Sequence, residues 1–460
     1  MAPRRAKGKR AADTDLAPVG SLLPDILLLV LQKLPQCQRF RASEVCRAWR
    51  DATLAPQLWS SVKLVLPCED DEAGAESFLS WLLPRAAGVE SLHIDIEEAA
   101  AQRNSELVVG VMSNLTAAIM ATACTLRQLV IETAGALVVS QWAAALGQLR
   151  SACFIGAEVH LKQGLGKLPH LADLEFGSNA AELSIEAPNC LPLATTHLSL
   201  EHCGLSRLPA CIARLTQLRS LDVSQNAFED DYGDELRVLS QLTGLECLKL
   251  ANCRMLQVPA ELSALRRLRI LHMGGNLGDE YDAADMEAVE ACLRPLRHLQ
   301  VLVMSQCNVV LPEAVRRMGR LERLFVTSTP VASLPPGPYC RSLRQLCLDW
   351  DVVFESLPML AQCTQLQMLT LARPHRSEED LKEPDAQTPE QADELAAALL
   401  AHPALKQVNV VAVQGRSLHL SIHTLRFVLA LAQAAPRLRV ELIESWDSDV
   451  VRIPGLLDLD

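Results

Sequence analysis

Aromatic residues are scarce: Phe, Trp and Tyr together make up 4% of a 460-residue chain. So few rings leave little on which bases could stack. A net charge of −12 adds repulsion toward any polyanion, and the two together argue against general nucleic-acid binding. No apolar run approaches the roughly 18 residues that a membrane-spanning helix needs, and no apolar secretory segment stands near the N-terminus. C-x-x-C pairs are missing, and the cysteines number 15, an odd count. A chain of this size without a secretory segment points to reduced thiols in cytoplasm or nucleus. Catalytic signatures are missing as well. Gly164-Leu165-Gly166-Lys167 lacks the spacing and the Ser/Thr of a phosphate loop. His419 and His423 have Leu420 where a zinc-protease helix needs Glu, and no G-x-S-x-G elbow occurs. Neither an enzyme, a cofactor nor a metal is expected.

What the chain does have is apolar character, 49% of residues against 21% charged, which excludes a mostly disordered protein. Its first residues differ from the rest: Arg4, Arg5, Lys7, Lys9 and Arg10 carry no acid among them. They read as a solvated tail or as an import signal.

From residue 89 onward L-x-x-L-x-L recurs. The central leucines at 174, 198, 221, 248, 271, 302, 324, 346 and 369 are separated by 24, 23, 27, 23, 31, 22, 22 and 23 residues. Five positions past the first seven stand Asn179, Cys203, Asn226, Cys253, Asn276, Cys307 and Thr329. Such a column of small polar side chains predicts hydrogen bonds to a turning backbone. Period and signature resemble the leucine-rich repeat. Longer repeats predict helices over 106–123, from Thr388 to just before Pro403, and over 422–434.

Alternation puts the residues flanking each central leucine on the concave strand face. One column reads Asp173, His197, Ser220, Cys247, Ile270, Val301, Arg323, Gln345, Met368; the next reads Glu175, Ser199, Asp222, Lys249, His272, Val303, Phe325, Cys347, Thr370. The face turns from polar to apolar at Ile270. Exposed apolar surface marks interaction sites, so Ile270, His272, Val301, Val303, Arg323, Phe325 and Met368 are the expected substrate-binding residues. Charged replacements of Val303 and Phe325 are expected to abolish capture without unfolding the array. Insertions containing Asp230, Asp231 and Asp234, and Asp279 and Asp282, predict an acidic rim beside that face or two solvated loops.

Residues 22–66 hold the densest apolar stretch. Ile26 to Leu31 would cover nearly the whole circumference of a helix, so another protein should cover part of it. Leu23-Pro24, Val45-Cys46-Arg47-x-Trp49-Arg50, Pro56-x-Leu58-Trp59 and Val62-x-Leu64 follow in order. This segment resembles an F-box, with Gln38-Arg39 where that family often has Asp-Leu. The resemblance implies docking on a Skp-type adaptor and through it a cullin. Leu23, Pro24, Ile26, Leu27, Val30, Leu31, Val45, Trp49, Leu58 and Trp59 are the candidate adaptor-binding positions, and Cys46 reads as core. The expected fold class is α/β: a short all-helical F-box, then a leucine-rich-repeat solenoid with parallel strands on its concave face and helices and irregular turns on its convex face. The expected organisation is a basic tail (1–20), the F-box (21–66), a connector (67–88), the solenoid (89–446) and a tail or cap (447–460). The resemblance implies a substrate-recognition subunit of an SCF-type ubiquitin ligase in cytoplasm or nucleus, binding an unidentified protein, with no nucleic acid and no membrane. The alternative is a non-catalytic scaffold of a fixed assembly, for example ciliary or cytoskeletal.

Overall fold

A helix opens where Pro24 sets its first φ and Asp25 places a negative charge in the first turn. The computed structural model describes residues 24–66, 72–97, 108–177, 182–185, 188–228, 236–277, 283–372, 389–413, 422–434 and 438–445. The chain divides into two compact units at Val130/Ile131.

The first unit begins with three short helices, α1 (Pro24–Gln32), α2 (Gln36–Ala42) and α3 (Arg47–Ala52). Strand β1 (Ser61–Leu66) follows and pairs in parallel with β2 (Ser91–Ile96), Ser61 opposite Ser91 through Leu66 opposite Ile96. Between them, inside the stretch expected as a connector, lies helix α4 (Glu72–Leu82). The first strand of this unit thus begins within the F-box-like segment. Gln36 holds the free edge of β1: its Nε2 donates to Lys63 O at 2.6 Å and its Oε1 accepts from Lys63 N at 2.8 Å. The side-chain amide replaces a missing neighbouring strand. Helix α5 (Val108–Ala121) lies within the span predicted for it, and β3 (Gln128–Thr133) carries the chain across the division.

The second unit is the repeat array. Its main sheet joins β5 (Ser151–Ile155), β7 (Asp173–Gly177), β9 (His197–Ser199), β10 (Ser220–Asp222), β11 (Cys247–Lys249), β12 (Ile270–His272), β13 (Val301–Val303), β14 (Arg323–Val326), β15 (Gln345–Asp349), β16 (Met368–Ala372), β17 (Gln407–Val413) and β18 (Arg439–Ser445), in that order. Every pairing with a described register is parallel, and the partners reproduce the two sequence columns residue by residue. The central leucines are buried between them. A second parallel sheet, not foreseen, joins β4 (Ala136–Val139), β6 (Glu158–Leu161) and β8 (Glu182–Ile185). Helices over Pro389–Ala401 and Ile422–Ala434 follow the sequence expectation. Phe427 of the latter meets Trp350 edge-on at 5.0 Å between ring centroids.

The polar column is a hydrogen-bonded ladder. Cys203, Asn226, Cys253, Asn276 and Cys307 each donate to one carbonyl of the preceding repeat, those of Phe176, Leu200, Val223, Leu250 and Met273 respectively. Only the asparagines also accept there: Asn226 Oδ1 from Cys203 N and Leu205 N, Asn276 Oδ1 from Cys253 N and Met255 N. The residue before each ladder position has left-handed backbone: His202, Gln225, Asn252, Gly275, Gln306 and Ser328, with φ from 51° to 72°. That conformation costs a side-chain-bearing residue about 1–2 kcal/mol, which the ladder bonds offset. Burial raises the ladder thiols, Cys203 and Cys253 to about 12 and Cys307 to about 11.

Candidate functional site

The first candidate surface is the outer face of the three short helices. On α1, Leu27 and Leu31 lie one helical turn apart and face inward, whereas Ile26, Leu29 and Val30 share the opposite arc and are exposed. The helix is therefore not apolar to no purpose: one stripe builds the module and the other remains uncovered. Phe40, Val45 and Leu54 are exposed too, Val45 at 61% and Leu29 at 60%. Six of the fifteen exposed large apolar side chains among the described residues thus fall between Ile26 and Leu54. That density marks the module, since scattered exposed leucines need no explanation.

The expected docking positions divide accordingly. Pro24, Ile26, Val30 and Val45 are exposed. Leu27, Leu31, Leu58 and Trp59 are buried, a correction to their assignment to a docking face, because their side chains form the interior of the module. Trp49 is half-buried with its indole N–H unsatisfied. Leu23 lies outside the described residues. Leu29, Phe40 and Leu54 were missed, although Leu29 falls at the i+3 spacing from Ile26 that defines the exposed arc. Arg39, at the departure from the F-box pattern, ties the module together: its guanidinium donates to Leu34 O at 2.7 Å, to Gln32 O at 3.1 Å and to Leu58 O.

An aromatic cluster anchors this module to α4. Trp81 meets Trp59 edge-on at 4.7 Å, Phe40 at 5.8 Å and Phe78 at 5.9 Å. The Arg85 guanidinium lies 4.8 Å from the Trp81 ring and 5.6 Å from that of Trp59, and donates to Trp81 O at 2.6 Å. Burial lowers the pKa of this guanidinium, and the ring faces supply the compensation that a carboxylate otherwise gives.

The strand face of the second unit is the other candidate. Its early part is polar. His197 Nδ1 lies 2.9 Å from Asp173, and Lys249 Nζ lies 3.6 Å from Asp222. Glu201 accepts from Gln225 Nε2 at 2.7 Å, and its carboxyl is raised, first by burial and then by the charge of Asp222. Burial pushes the Cys153 thiol up to about 12, helped by Glu175. It lowers the His272 imidazole to about 4, against the opposing pull of Asp222.

The later part departs from expectation. Val301, Val303, Phe325 and Cys347 form one buried cluster, with Ile270 packed against it; Val303 is 1% and Phe325 2% exposed. These are not an exposed anchor. Bulky side chains on strands about 4.8 Å apart close over one another, and the column stays buried through Thr370 and Asn409. Ile270, His272, Arg323 and Met368 remain half-buried at its margin. The expected acidic rim, Asp230, Asp231, Asp234, Asp279 and Asp282, lies outside the described residues, as do Asn179, His419, Thr388 and the segments 1–20 and 447–460. No helix among the described residues is long and apolar enough to cross a membrane.

Two family profiles agree with this geometry. A family profile described as F-box-like matches residues 22–64, and one described as a leucine-rich repeat region matches residues 148–387, more than half of the chain. The volume-regulated anion channel subunit LRRC8D of Rattus norvegicus is 25% identical over 126 residues, 26% of this chain and 14% of that protein. The chain therefore spans about a seventh of that relative's length. Among solved structures, an internalin from Listeria monocytogenes is 15% identical, with a TM-score of 0.42 over 79% of this chain and 93% of the other. A leucine-rich-repeat protein from Leptospira interrogans, also 15% identical, has a TM-score of 0.35 over 68% and 83%. From strand register, ladder and matched profiles, the chain belongs to the leucine-rich-repeat proteins and carries an F-box-like domain ahead of its repeats.

Proposed function

We propose that this protein is the substrate-recognition subunit of an SCF-type ubiquitin ligase. The F-box-like module would dock on a Skp-type adaptor and through it a cullin, while the repeats hold a protein substrate. The observation that carries this reading is the exposed arc of Ile26, Leu29 and Val30 on a helix whose other stripe is already buried. Burying one such side chain contributes roughly 1.5–3 kcal/mol, so three give a partner a substantial anchor. In this reading the chain supplies proximity and orientation, and a partner enzyme forms the bond. The described cysteines, all free thiols, fit a reducing compartment, cytoplasm or nucleus.

The test is co-purification of adaptor and cullin with the full chain. An I26D/V30D variant alters exposed positions only and should keep its melting temperature while losing both partners. Equal recovery with wild type and variant would exclude docking through this arc. Recovery in an insoluble cytoskeletal fraction without cullin would favour a scaffold.

A further inference from the structure

On a chain of net charge −12, the turns that lead into β12, β13, β14 and β15 gather cations. Arg266, Arg267, Arg297, Arg320 and Arg341 stand there beside His298, all exposed. These leads stack with the strands they precede: Gln300 N donates to Arg269 O, Glu322 N to Gln300 O and Arg344 N to Glu322 O, each at 2.7–2.8 Å. The cations therefore share one edge of the array.

Neighbouring acids are already engaged. Glu246 pairs with Arg269, Glu290 with Arg294, Glu313 with Arg317 and Glu322 with Arg344. Arg266, Arg267, Arg297 and Arg341 have no acidic partner among the described residues. Arg320 Nη1 lies 3.0 Å from His298 Nδ1. A guanidinium can only donate, so that imidazole nitrogen accepts and leaves the charge of Arg320 uncompensated. Two open hollows of about 600 and 510 Å³ lie along this edge, one among the turns that lead into β10, β11 and β12 and one between those that lead into β12 and β13; Arg266 lines both, with Thr216, Thr243 and Arg267 on one side and Arg297 and His298 on the other.

We propose that this basic edge binds an extended anionic peptide segment of a partner protein, bearing carboxylates or phosphates. From the β12 lead to the β15 lead is three strand spacings of about 4.8 Å, which matches about four residues of extended chain at about 3.3 Å each. Guanidinium groups suit carboxylate and phosphate oxygens in paired hydrogen bonds. No Phe, Trp or Tyr lines either hollow, which leaves bases little to stack on, and the net negative charge disfavours a long polyanion more than a short peptide. The inference concerns the repeats alone and does not depend on adaptor docking.

Fluorescence anisotropy on the full chain at about 50 mM salt tests it, with a labelled hexaglutamate peptide, a hexapeptide carrying two phosphoserines and a six-nucleotide oligothymidylate. The expected result is binding of an anionic peptide at least about tenfold tighter than the oligonucleotide, and about tenfold weakening by R266E/R297E. A control reversal elsewhere, R207E, should stay within about twofold. R267Q/R341Q, which removes charge without reversing it, should weaken binding about threefold and serves if the double reversal unfolds. Tenfold preference for the phosphopeptide identifies phosphate as the source of charge, and parity identifies carboxylate. Failure of both peptides to bind, oligonucleotide binding of equal strength, or equal loss in R207E would overturn the proposal.

Discussion

Replacing Asn276 by Ala tests the ladder where it bears most. Its Oδ1 accepts from Cys253 N at 2.9 Å and Met255 N at 3.2 Å, and its Nδ2 donates to Leu250 O and Met273 O at 2.7 and 2.8 Å. The side chain is buried, so water does not replace it. Two stranded amides at roughly 1.5 kcal/mol each give a loss of about 3 kcal/mol. Asn276→Cys separates the two roles. A thiol still donates to Leu250 O, as Cys253 does to Val223 O, but it is a weak acceptor; a loss of about 2 kcal/mol is expected. Urea denaturation of the full chain measures the total. Hydrogen exchange at the Cys253 and Met255 amides measures the cause, because a repeat depends chiefly on its neighbours. A loss below about 1 kcal/mol for the alanine variant, or unchanged protection of those two amides, would refute this account of the ladder.

Three further outcomes follow from burial. Val303→Asp or Phe325→Glu should destabilise the array by about 3–5 kcal/mol rather than leave a folded protein that has lost a partner, since each charge enters a closed cluster; a wild-type melting curve would restore the exposed-anchor reading. Trp81→Ala should cost the first unit about 3–5 kcal/mol, because it removes the ring shared by Phe40, Trp59, Phe78 and Arg85; proteolysis within residues 24–97 would report it, and unchanged resistance would contradict it. His272 titrates near 4 when folded against about 6.5 when unfolded. Between those values the unfolded chain binds the extra proton, so stability should fall by about 2–3 kcal/mol as pH drops from 6.5 toward 4. In H272N that part of the acid sensitivity, read from urea midpoints at about pH 7 and 4.5, should vanish.

The sequence carried register well and exposure poorly. The L-x-x-L-x-L period fixes which side chains share a face, and Ile270, Val301 and Arg323 stand in one column as their spacing requires. Whether a column is open depends on side-chain volumes on strands distant in sequence, so the closure of Val303 under Phe325 and Cys347 left no local signal. On α1 the 100° step did separate Leu27 and Leu31 from Ile26, Leu29 and Val30. Reading the helix as apolar all round concealed that division. Arg39 looked like a departure from a pattern because its acceptors come from two separate places in the chain, the end of the first helix and Leu58. The basic edge was hidden for another reason: a few arginines per repeat are ordinary, and only stacking makes them neighbours.

Cys203, Cys253 and Cys307 make the array a clock for its own motion. Held as neutral thiols and buried, they react with alkylating agents only when their repeat opens. Pulse alkylation followed by peptide mapping would time the opening of three separate places in the array on a native protein, with no label introduced. Partner binding across one stretch would then appear as a slowed clock in that stretch alone.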